Sequence, residues 1–195
     1  MRQQTTRISP EDISRQLQYC REVAALSAAQ PAQPLAFVDT YGCQQNEADS
    51  ERIRGYLREM GYGFTQDEEQ AQIIVLNTCA IREHAEKRVY GHLGRLSHTK
   101  AAKPDQIICL CGCMAQQKVV ADKVKNSYHH VDLVLGPQAE WRLPELLHEV
   151  YTKNKRVFSI ENEHGRIAED LPIVREGGVR AWVSIMYGCN NFCSY

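Results

Sequence analysis

The sequence predicts an α/β fold, a doubly wound and mainly parallel sheet of about five strands with helices on both faces. Short continuous apolar runs alternate with longer stretches of helical spacing between residues 35 and 160. Continuous apolar runs are typical of strands that are buried on both faces of a parallel sheet. The helical stretches between the runs supply the crossover connections that parallel strands require.

Five apolar runs are the candidate strands. In chain order they are LAFVDTYGC from residue 35, AQIIVLNTC from residue 71, QIICLCGC from residue 106, VDLVLG from residue 131 and RVFSI from residue 156. We expect the last of them to be an edge strand.

Helical stretches follow the first four runs, and a further helix precedes the first run. In that first helix, Ser9 is a suitable N-cap, Pro10 fits the first position, and Glu11 and Asp12 favour the positive helix end. Pro144 restricts the last helix to a start or a kink near residue 143.

The composition indicates a globular protein whose cysteines are thiols and not disulfides. The 195 residues are 43% hydrophobic and carry a net charge of −1, which allows a packed core and excludes a strongly charged polyelectrolyte. The sequence has no apolar stretch of roughly 18 residues, and its start lacks the apolar core of a secretion signal. We therefore expect a cytoplasmic location. There the eight cysteines would be metal ligands, cluster ligands or buried thiols rather than members of disulfides.

The chain divides into four predicted segments. Residues 1–34 are an N-terminal extension with one helix, and residues 35–160 form the α/β domain. The charged segment 161–178 has little apolar periodicity and is a predicted interdomain linker. Residues 179–195 begin a second domain with a new strand.

Three cysteines occupy equivalent places in successive units of the predicted sheet. Cys43, Cys79 and Cys113 each follow a strand, and they are separated by 79 − 43 = 36 and 113 − 79 = 34 residues. The carboxyl ends of parallel strands lie at one edge of a sheet, so we expect the three sulfurs to converge there. We also expect the helix N-termini that follow to lower the thiol pKa values.

The alternative to a ligand role is that these cysteines are small buried side chains. Cys20, Cys109 and Cys111 fit that alternative, although Cys111 points to the same side of its strand as Cys113 and is a rival to it. Three thiolates could hold zinc with an open position or an iron–sulfur cluster. Because no histidine or carboxylate stands at an equivalent position, an iron–sulfur cluster is favoured.

A further pair of cysteines lies at the end of the sequence. Cys189 and Cys193 have the spacing C-x-x-x-C, whereas zinc ribbons and redox pairs usually have C-x-x-C. The spacing predicts a third ligand that these 195 residues do not contain.

The cysteine-bearing segments resemble the motifs of the methylthiotransferases, a family of radical S-adenosylmethionine (radical-SAM) enzymes. The segments that carry this resemblance are TYGCQQNEADSE, NTCAIREHAEKRVYGHLG, CGCMAQ and GCNNFCSY, within residues 40–195. AIRE after Cys79 and MAQ after Cys113 favour the members that act on isopentenyl-adenosine in tRNA. Gln45 stands where the family usually has methionine.

The resemblance implies two iron–sulfur sites. Cys43, Cys79 and Cys113 would hold an auxiliary 4Fe-4S cluster. Cys189 and Cys193 would hold the radical-SAM 4Fe-4S cluster together with a third cysteine at the position after Tyr195, so that S-adenosylmethionine is the second cofactor. Residues 35–160 would be the methylthiotransferase N-terminal domain, and residues 179–195 the first strand of a truncated radical-SAM barrel.

The resemblance also implies the reaction and the partners. The reaction is the methylthiolation of C2 of N6-isopentenyl-adenosine next to the anticodon of tRNA. The expected partners are tRNA, bound mostly through parts absent from this sequence, and a reductant, with no membrane and a monomeric state. We expect this N-terminal fragment to be inactive alone.

Two alternative functions stay open at this point. One is a non-enzymatic iron–sulfur or zinc-binding α/β module, which would not need Cys189 and Cys193. The other is a methylthiotransferase that acts on another tRNA base or on a ribosomal protein. The basic segment 82–103 could contact tRNA phosphates, although a solvated helix face explains it more simply. Asn46 and Asn77 flank two of the cysteines and could cap a helix or orient the turns.

Overall fold

The structure of the chain is a computed structural model. It describes residues 6–28, 32–80, 83–160, 166–169, 171–175 and 181–183. Within these ranges no helix has the length and apolar composition that crossing a membrane requires.

The strands and helices alternate as the apolar pattern predicts. In the described residues the strands are β1 (Thr6–Arg7), β2 (Leu35–Tyr41), β3 (Gly63–Phe64), β4 (Ile73–Thr78), β5 (Ile107–Gly112), β6 (Leu133–Leu135), β7 (Val157–Ser159) and β8 (Arg166–Ile167). The helices are α1 (Pro10–Ser27), α2 (Gln44–Glu59), α3 (Glu83–Ala102), α4 (Lys118–Ser127) and α5 (Leu143–Lys153), and a 3-10 helix (Pro137–Arg142) precedes α5.

The main sheet has six strands, and all of its neighbouring pairs are parallel. The strand order is β3-β2-β4-β5-β6-β7, which is the doubly wound order in which the chain starts inside the sheet and reverses direction once. The predicted fold class is therefore confirmed, and β7 is an edge strand as expected. The sixth strand, β3, was not predicted because two residues are too short to produce an apolar pattern. β1 and β8 pair separately with each other.

Both faces of the sheet are covered by helices, which explains the continuous apolar runs. On one face, alternate residues such as Val75 and Cys109 pack in a cluster with residues of α1, α2 and α5. On the other face, residues such as Leu76 and Leu110 pack with residues of α3 and α4. Every residue of β4 and β5 is buried, as expected for central parallel strands.

Helix α1 belongs to this packed structure. Ser9 caps it, because the Ser9 side chain accepts a hydrogen bond from the backbone N–H of Asp12 at 3.1 Å, and Pro10 is the first helical residue. Cys20 and Val23 of α1 lie in the same core cluster as Ile53 of α2. Burial, with a smaller contribution from the Glu59 carboxylate, raises the pKa of Cys20 to about 12. Cys20 is thus a core thiol, as predicted.

The start of α5 is also as expected. Pro144 is in the first turn, where the missing N–H of proline has no helical partner to lose. The preceding residues 137–142 form the 3-10 helix instead of extending α5 towards the N-terminus.

Residues 171–175 of the predicted linker lie along α2. The backbone N–H of Val174 donates to the carbonyl of Glu51 at 3.0 Å. A Cβ atom on Gly55 would lie 2.0 Å from the carbonyl oxygen of Pro172. Because this neighbour is backbone, only glycine fits at position 55 while the segment is docked.

The Gly55→Ala variant is expected to displace residues 171–175 from α2. Limited proteolysis should then cleave near Pro172 faster than in the unchanged chain, because an undocked segment is more accessible to a protease. Gly91→Ala is the matched control, since Gly91 is also in a helix and a Cβ there meets nothing within 4 Å. Equal cleavage rates for Gly55→Ala and Gly91→Ala would contradict the docking.

Candidate metal centre

Cys43, Cys79 and Cys113 lie at the carboxyl ends of three adjacent strands. Each follows one of β2, β4 and β5, which are neighbours in the sheet. The register pairs Tyr41 with Thr78 and Thr78 with Gly112, so the three strands end at the same level. The expected placement at one sheet edge is confirmed.

The three cysteines are free thiols that differ in exposure. Cys79 is buried, whereas Cys43 and Cys113 are half-buried. Burial raises the pKa of Cys113, and the Asp49 carboxylate and the thiols of Cys79 and Cys43 add to this rise. The other two thiols are therefore within electrostatic range of Cys113.

The expectation of a lowered thiol pKa is wrong for Cys113. Helix α4 begins only at Lys118, because residues 114–117 form a turn rather than the helical stretch expected after Cys113. The positive end of a helix acts over about one turn, so it does not offset the burial of this thiol. Cys43, by contrast, is the N-cap residue of α2.

The Cys43 turn is held by Asn46, which is completely buried. Its side-chain oxygen accepts a hydrogen bond from the backbone N–H of Cys43 at 3.2 Å and another from the Cys43 thiol at 3.4 Å. A Cβ on Gly42 would lie 2.2 Å from that oxygen, so the close approach requires glycine. Asn46 therefore has the capping role that the sequence indicated.

The Cys79 and Cys113 turns contact each other through the backbone. The N–H of Met114 donates to the carbonyl of Thr78 at 3.4 Å. Gly112 has a φ of 93°, and a Cβ there would lie 2.4 Å from the Thr78 carbonyl oxygen. Only glycine combines this left-handed conformation with so close an approach. The Cys79 N–H in turn donates to the Tyr41 carbonyl at 2.9 Å.

Gln116 anchors the far side of the Cys113 turn. Its amide nitrogen donates to the carbonyl of Ile160 at 2.7 Å. Its side-chain oxygen would be 1.5 Å from a Cβ on Gly136, so the turn packs directly on the backbone that follows β6. Met114 and Ala115 are buried beside it.

Cys109 and Cys111 are interior residues of β5. Both lie in the core cluster on the face covered by α1, α2 and α5. The hydrogen bond with Cys109, followed by burial, raises the pKa of Cys111 well above its ordinary value. Cys111 is therefore a core residue, as is Cys109, and it does not lie at the sheet edge with Cys113.

A buried ionic cluster, which the sequence did not reveal, lies near the cysteines. Arg52 of α2 forms an ion pair with Asp49, and its Nε donates a hydrogen bond to Glu140 at 3.0 Å. Burial raises the pKa of Glu140 to about 8; the Asp49 carboxylate adds to the rise and Arg52 opposes it. Burial raises the pKa of Asp49 as well. A spacing of 88 residues between Arg52 and Glu140 leaves no local sequence signal.

We expect Glu140 to make the fold less stable as the pH rises. An unfolded glutamate loses its proton near pH 4.5, whereas folded Glu140 keeps it to about pH 8, so raising the pH within this window favours the unfolded state. Glu140→Gln should reduce the loss of unfolding free energy between pH 5 and pH 8, measured by urea denaturation.

Glu145→Gln is the control, because the pKa of Glu145 is shifted in the opposite direction from the pKa of Glu140. The hydrogen bond from Arg142 lowers the pKa of Glu145, so this carboxylate contributes stability above its ordinary pKa that is lost as the pH falls. A steeper loss of stability with rising pH in Glu140→Gln than in the unchanged chain would contradict the assignment.

His92 and Lys100 of the basic segment have structural contacts. His92 is buried, with Nδ1 at 2.7 Å from the hydroxyl of Tyr41 and Nε2 at 2.8 Å from Glu68. Lys100 bonds both carboxylate oxygens of Asp132, at 3.0 and 2.9 Å. Among the described residues, no group of three or more His, Cys, Asp and Glu side chains is arranged to hold a metal ion.

Some predicted features fall outside the described residues. They include Cys189 and Cys193, most of the predicted first strand of the second domain, and the side chains at the start of the basic segment 82–103.

Comparison with known proteins identifies relatives over nearly the whole chain. Proteins named tRNA-2-methylthio-N(6)-dimethylallyladenosine synthase are similar to it. The one from Acetivibrio thermocellus is 43% identical over 96% of this chain and 40% of its own length. The one from Clostridium perfringens is 47% identical over 81% of this chain and 35% of its own length. The one from Geobacillus thermodenitrificans is 45% identical over 82% of this chain and 30% of its own length.

The chain spans about two fifths or less of the length of these curated relatives. Their names agree with the resemblance to methylthiotransferases that the motifs indicate. The profile described as uncharacterized protein family UPF0004 matches residues 36–136, a range that contains Cys43, Cys79 and Cys113. Because this match covers more than half of the 195 residues, the chain belongs to that family.

Proposed function

We propose that Cys43, Cys79 and Cys113 hold an auxiliary 4Fe-4S cluster in a tRNA methylthiotransferase. The observation that supports the proposal is the position of three free cysteines directly after the carboxyl ends of the adjacent strands β2, β4 and β5. The donor set fits such a cluster, because iron–sulfur clusters are held by cysteine thiolates. Two of the three thiols are half-buried, which leaves the edge accessible to a cluster and to a substrate.

The reaction proposed for the whole protein is the methylthiolation of C2 of N6-isopentenyl-adenosine in tRNA. Support comes from the names of relatives that are 43–47% identical. Cys189 and Cys193 would be two ligands of the radical-SAM 4Fe-4S cluster, and S-adenosylmethionine and a reductant would complete the system. Action on tRNA is consistent with a cytoplasmic location.

The contribution of residues 35–160 to this reaction is ligation and orientation. An auxiliary cluster supplies, when bound, iron at which sulfur can be held for transfer. The chain itself sets the direction of Cys43 through Asn46, and it sets the separation of the Cys79 and Cys113 turns through Thr78 and Gly112. The raised pKa of Cys113 means that this thiol is protonated at neutral pH until iron binds, so ligation there releases a proton.

A chimera tests the proposed function. Residues 35–160 would replace the corresponding part of the synthase from Clostridium perfringens, in bacteria that lack their own enzyme. We expect mass spectrometry of tRNA nucleosides to detect the 2-methylthio product, and we expect Cys43→Ala to remove it and Cys109→Ala to retain it. A folded chimera that yields no product, or a product that persists in Cys43→Ala, would contradict the proposal.

A further inference from the structure

We propose that Asn46 and Asn77 form a positioning pair that holds the three cysteine turns together before a cluster is present. The inference rests on the proposed function, because it takes Cys43, Cys79 and Cys113 as the ligands. It assigns to two neutral side chains the task of arranging thiols that come from three different strands. Both asparagines have no solvent exposure.

Asn46 connects the Cys43 turn to the Cys79 turn. Its oxygen accepts from the N–H and the thiol of Cys43, as described above. Its nitrogen donates to Oδ1 of Asn77 at 3.0 Å and to the carbonyl of Thr78 at 3.3 Å. Thr78 immediately precedes Cys79, so one side chain contacts the turns of two of the ligands.

Asn77 completes the pair from the opposite side. It lies on β4, and its nitrogen donates to the carbonyl of Asn46 at 2.9 Å and to the hydroxyl of Ser50 at 3.0 Å. The two side chains are therefore joined by two hydrogen bonds in opposite directions, one to a side chain and one to a backbone carbonyl. Such reciprocal bonds fix the orientation of both amides.

The third turn packs against the same pair. A Cβ on Gly112 would lie 2.5 Å from Oδ1 of Asn77, so the backbone before Cys113 lies against this amide. The Thr78 carbonyl, which accepts from Asn46, also accepts from the N–H of Met114. Each of the three cysteine turns thus contacts at least one of three groups: Asn46, Asn77 or the Thr78 carbonyl.

A helix cap alone does not require this arrangement. An N-cap interaction at the start of α2 uses only a side-chain oxygen. The two nitrogens of the pair instead bond between α2 and β4. Replacing Asn46 would remove the donor to Oδ1 of Asn77 in the interior, which is costly. Side chains that orient metal ligands commonly affect metal affinity about 10–100-fold when they are changed.

The test compares variants of the anaerobically reconstituted chain. Asn46→Ser removes the amide nitrogen that donates to Asn77, and Asn77→Ala removes the other half of the pair. Thr78→Val is the matched control, since it deletes one buried hydrogen bond, from the Thr78 hydroxyl to the Cys111 carbonyl at 2.9 Å, and leaves the pair intact. The measurements are the rate of iron loss to a chelator and the electron paramagnetic resonance spectrum of the reduced cluster.

We expect Asn46→Ser and Asn77→Ala to lose iron about 10-fold faster than the unchanged chain, with a shifted spectrum, and Thr78→Val to stay within about twofold. If the pair had a purely structural role, all three substitutions would lower the urea midpoint of unfolding without changing the spectrum. If Asn77→Ala does not fold, Ser50→Ala removes one partner of Asn77 and is expected to accelerate iron loss about threefold.

Different experimental results would overturn this inference and the proposed function. Rates and spectra like those of the unchanged chain in Asn46→Ser and Ser50→Ala, while the cysteine variants lose the cluster, would overturn the positioning pair alone. Retention of the cluster in the cysteine variants would instead overturn the ligand assignment and the inference with it.

Discussion

Replacing any one of Cys43, Cys79 or Cys113 with alanine is expected to abolish or severely weaken the uptake of a four-iron cluster. Each residue would supply one of the three proposed thiolates, and each follows one of three adjacent strands at one sheet edge. Among the described cysteines none is placed to substitute for a lost ligand at that edge, because Cys111 is buried inside β5. Iron and sulfide analysis with Mössbauer spectra is the measurement.

Cys20→Ala and Cys109→Ala are the matched controls for this series. Both residues are buried thiols of the core and are expected to leave cluster uptake nearly intact. Each substitution should cost about 1–3 kcal/mol of unfolding free energy, because it leaves a small cavity. The ligand assignment is wrong if Cys189→Ala and Cys193→Ala remove the cluster while the three edge variants retain it.

Gly112→Ala is expected to be the most damaging substitution outside the cysteines. The φ of 93° strains any residue with a side chain, and the added Cβ would lie 2.4 Å from the Thr78 carbonyl oxygen, which is backbone and cannot move away alone. Strain and overpacking of this kind each cost about 1–3 kcal/mol. Urea denaturation should show that loss, and cluster uptake should fall because the Cys113 turn shifts.

Gly94→Ala is the control for Gly112→Ala. Gly94 is in α3, and a Cβ there meets nothing within 4 Å, so alanine should raise the unfolding free energy by about 0.5–1 kcal/mol. An unfolding midpoint of Gly112→Ala equal to that of the unchanged chain, with full cluster uptake, would refute the role of this turn.

The fold was predictable where burial leaves a pattern in the sequence. β4 and β5 are buried on both faces and are therefore continuous apolar runs, and Ser9 and Pro10 mark the start of α1 because capping is a local interaction. β3 has only two residues and leaves no such pattern. The start of α4 at Lys118 was missed because tertiary packing of Met114 and Ala115, rather than helical propensity, shapes the turn.

The site was predictable in its placement but not in its electrostatics. Parallel topology alone brings Cys43 and Cys113 to one edge. The raised pKa of Cys113 depends on burial and on Asp49, which lies far from it in sequence. The contact between Asn46 and Asn77 spans 31 residues, and a single sequence has no signal for it beyond the presence of both asparagines beside cysteines.

The most direct test of the central claim uses the chain with Cys189→Ala and Cys193→Ala together. Only the three edge cysteines then remain as the proposed ligands. After anaerobic reconstitution, we expect iron and sulfide analysis to find about one four-iron cluster per chain, with the Mössbauer spectrum of a 4Fe-4S cluster. A double variant that binds no cluster, or that binds only zinc in its place, would contradict the account.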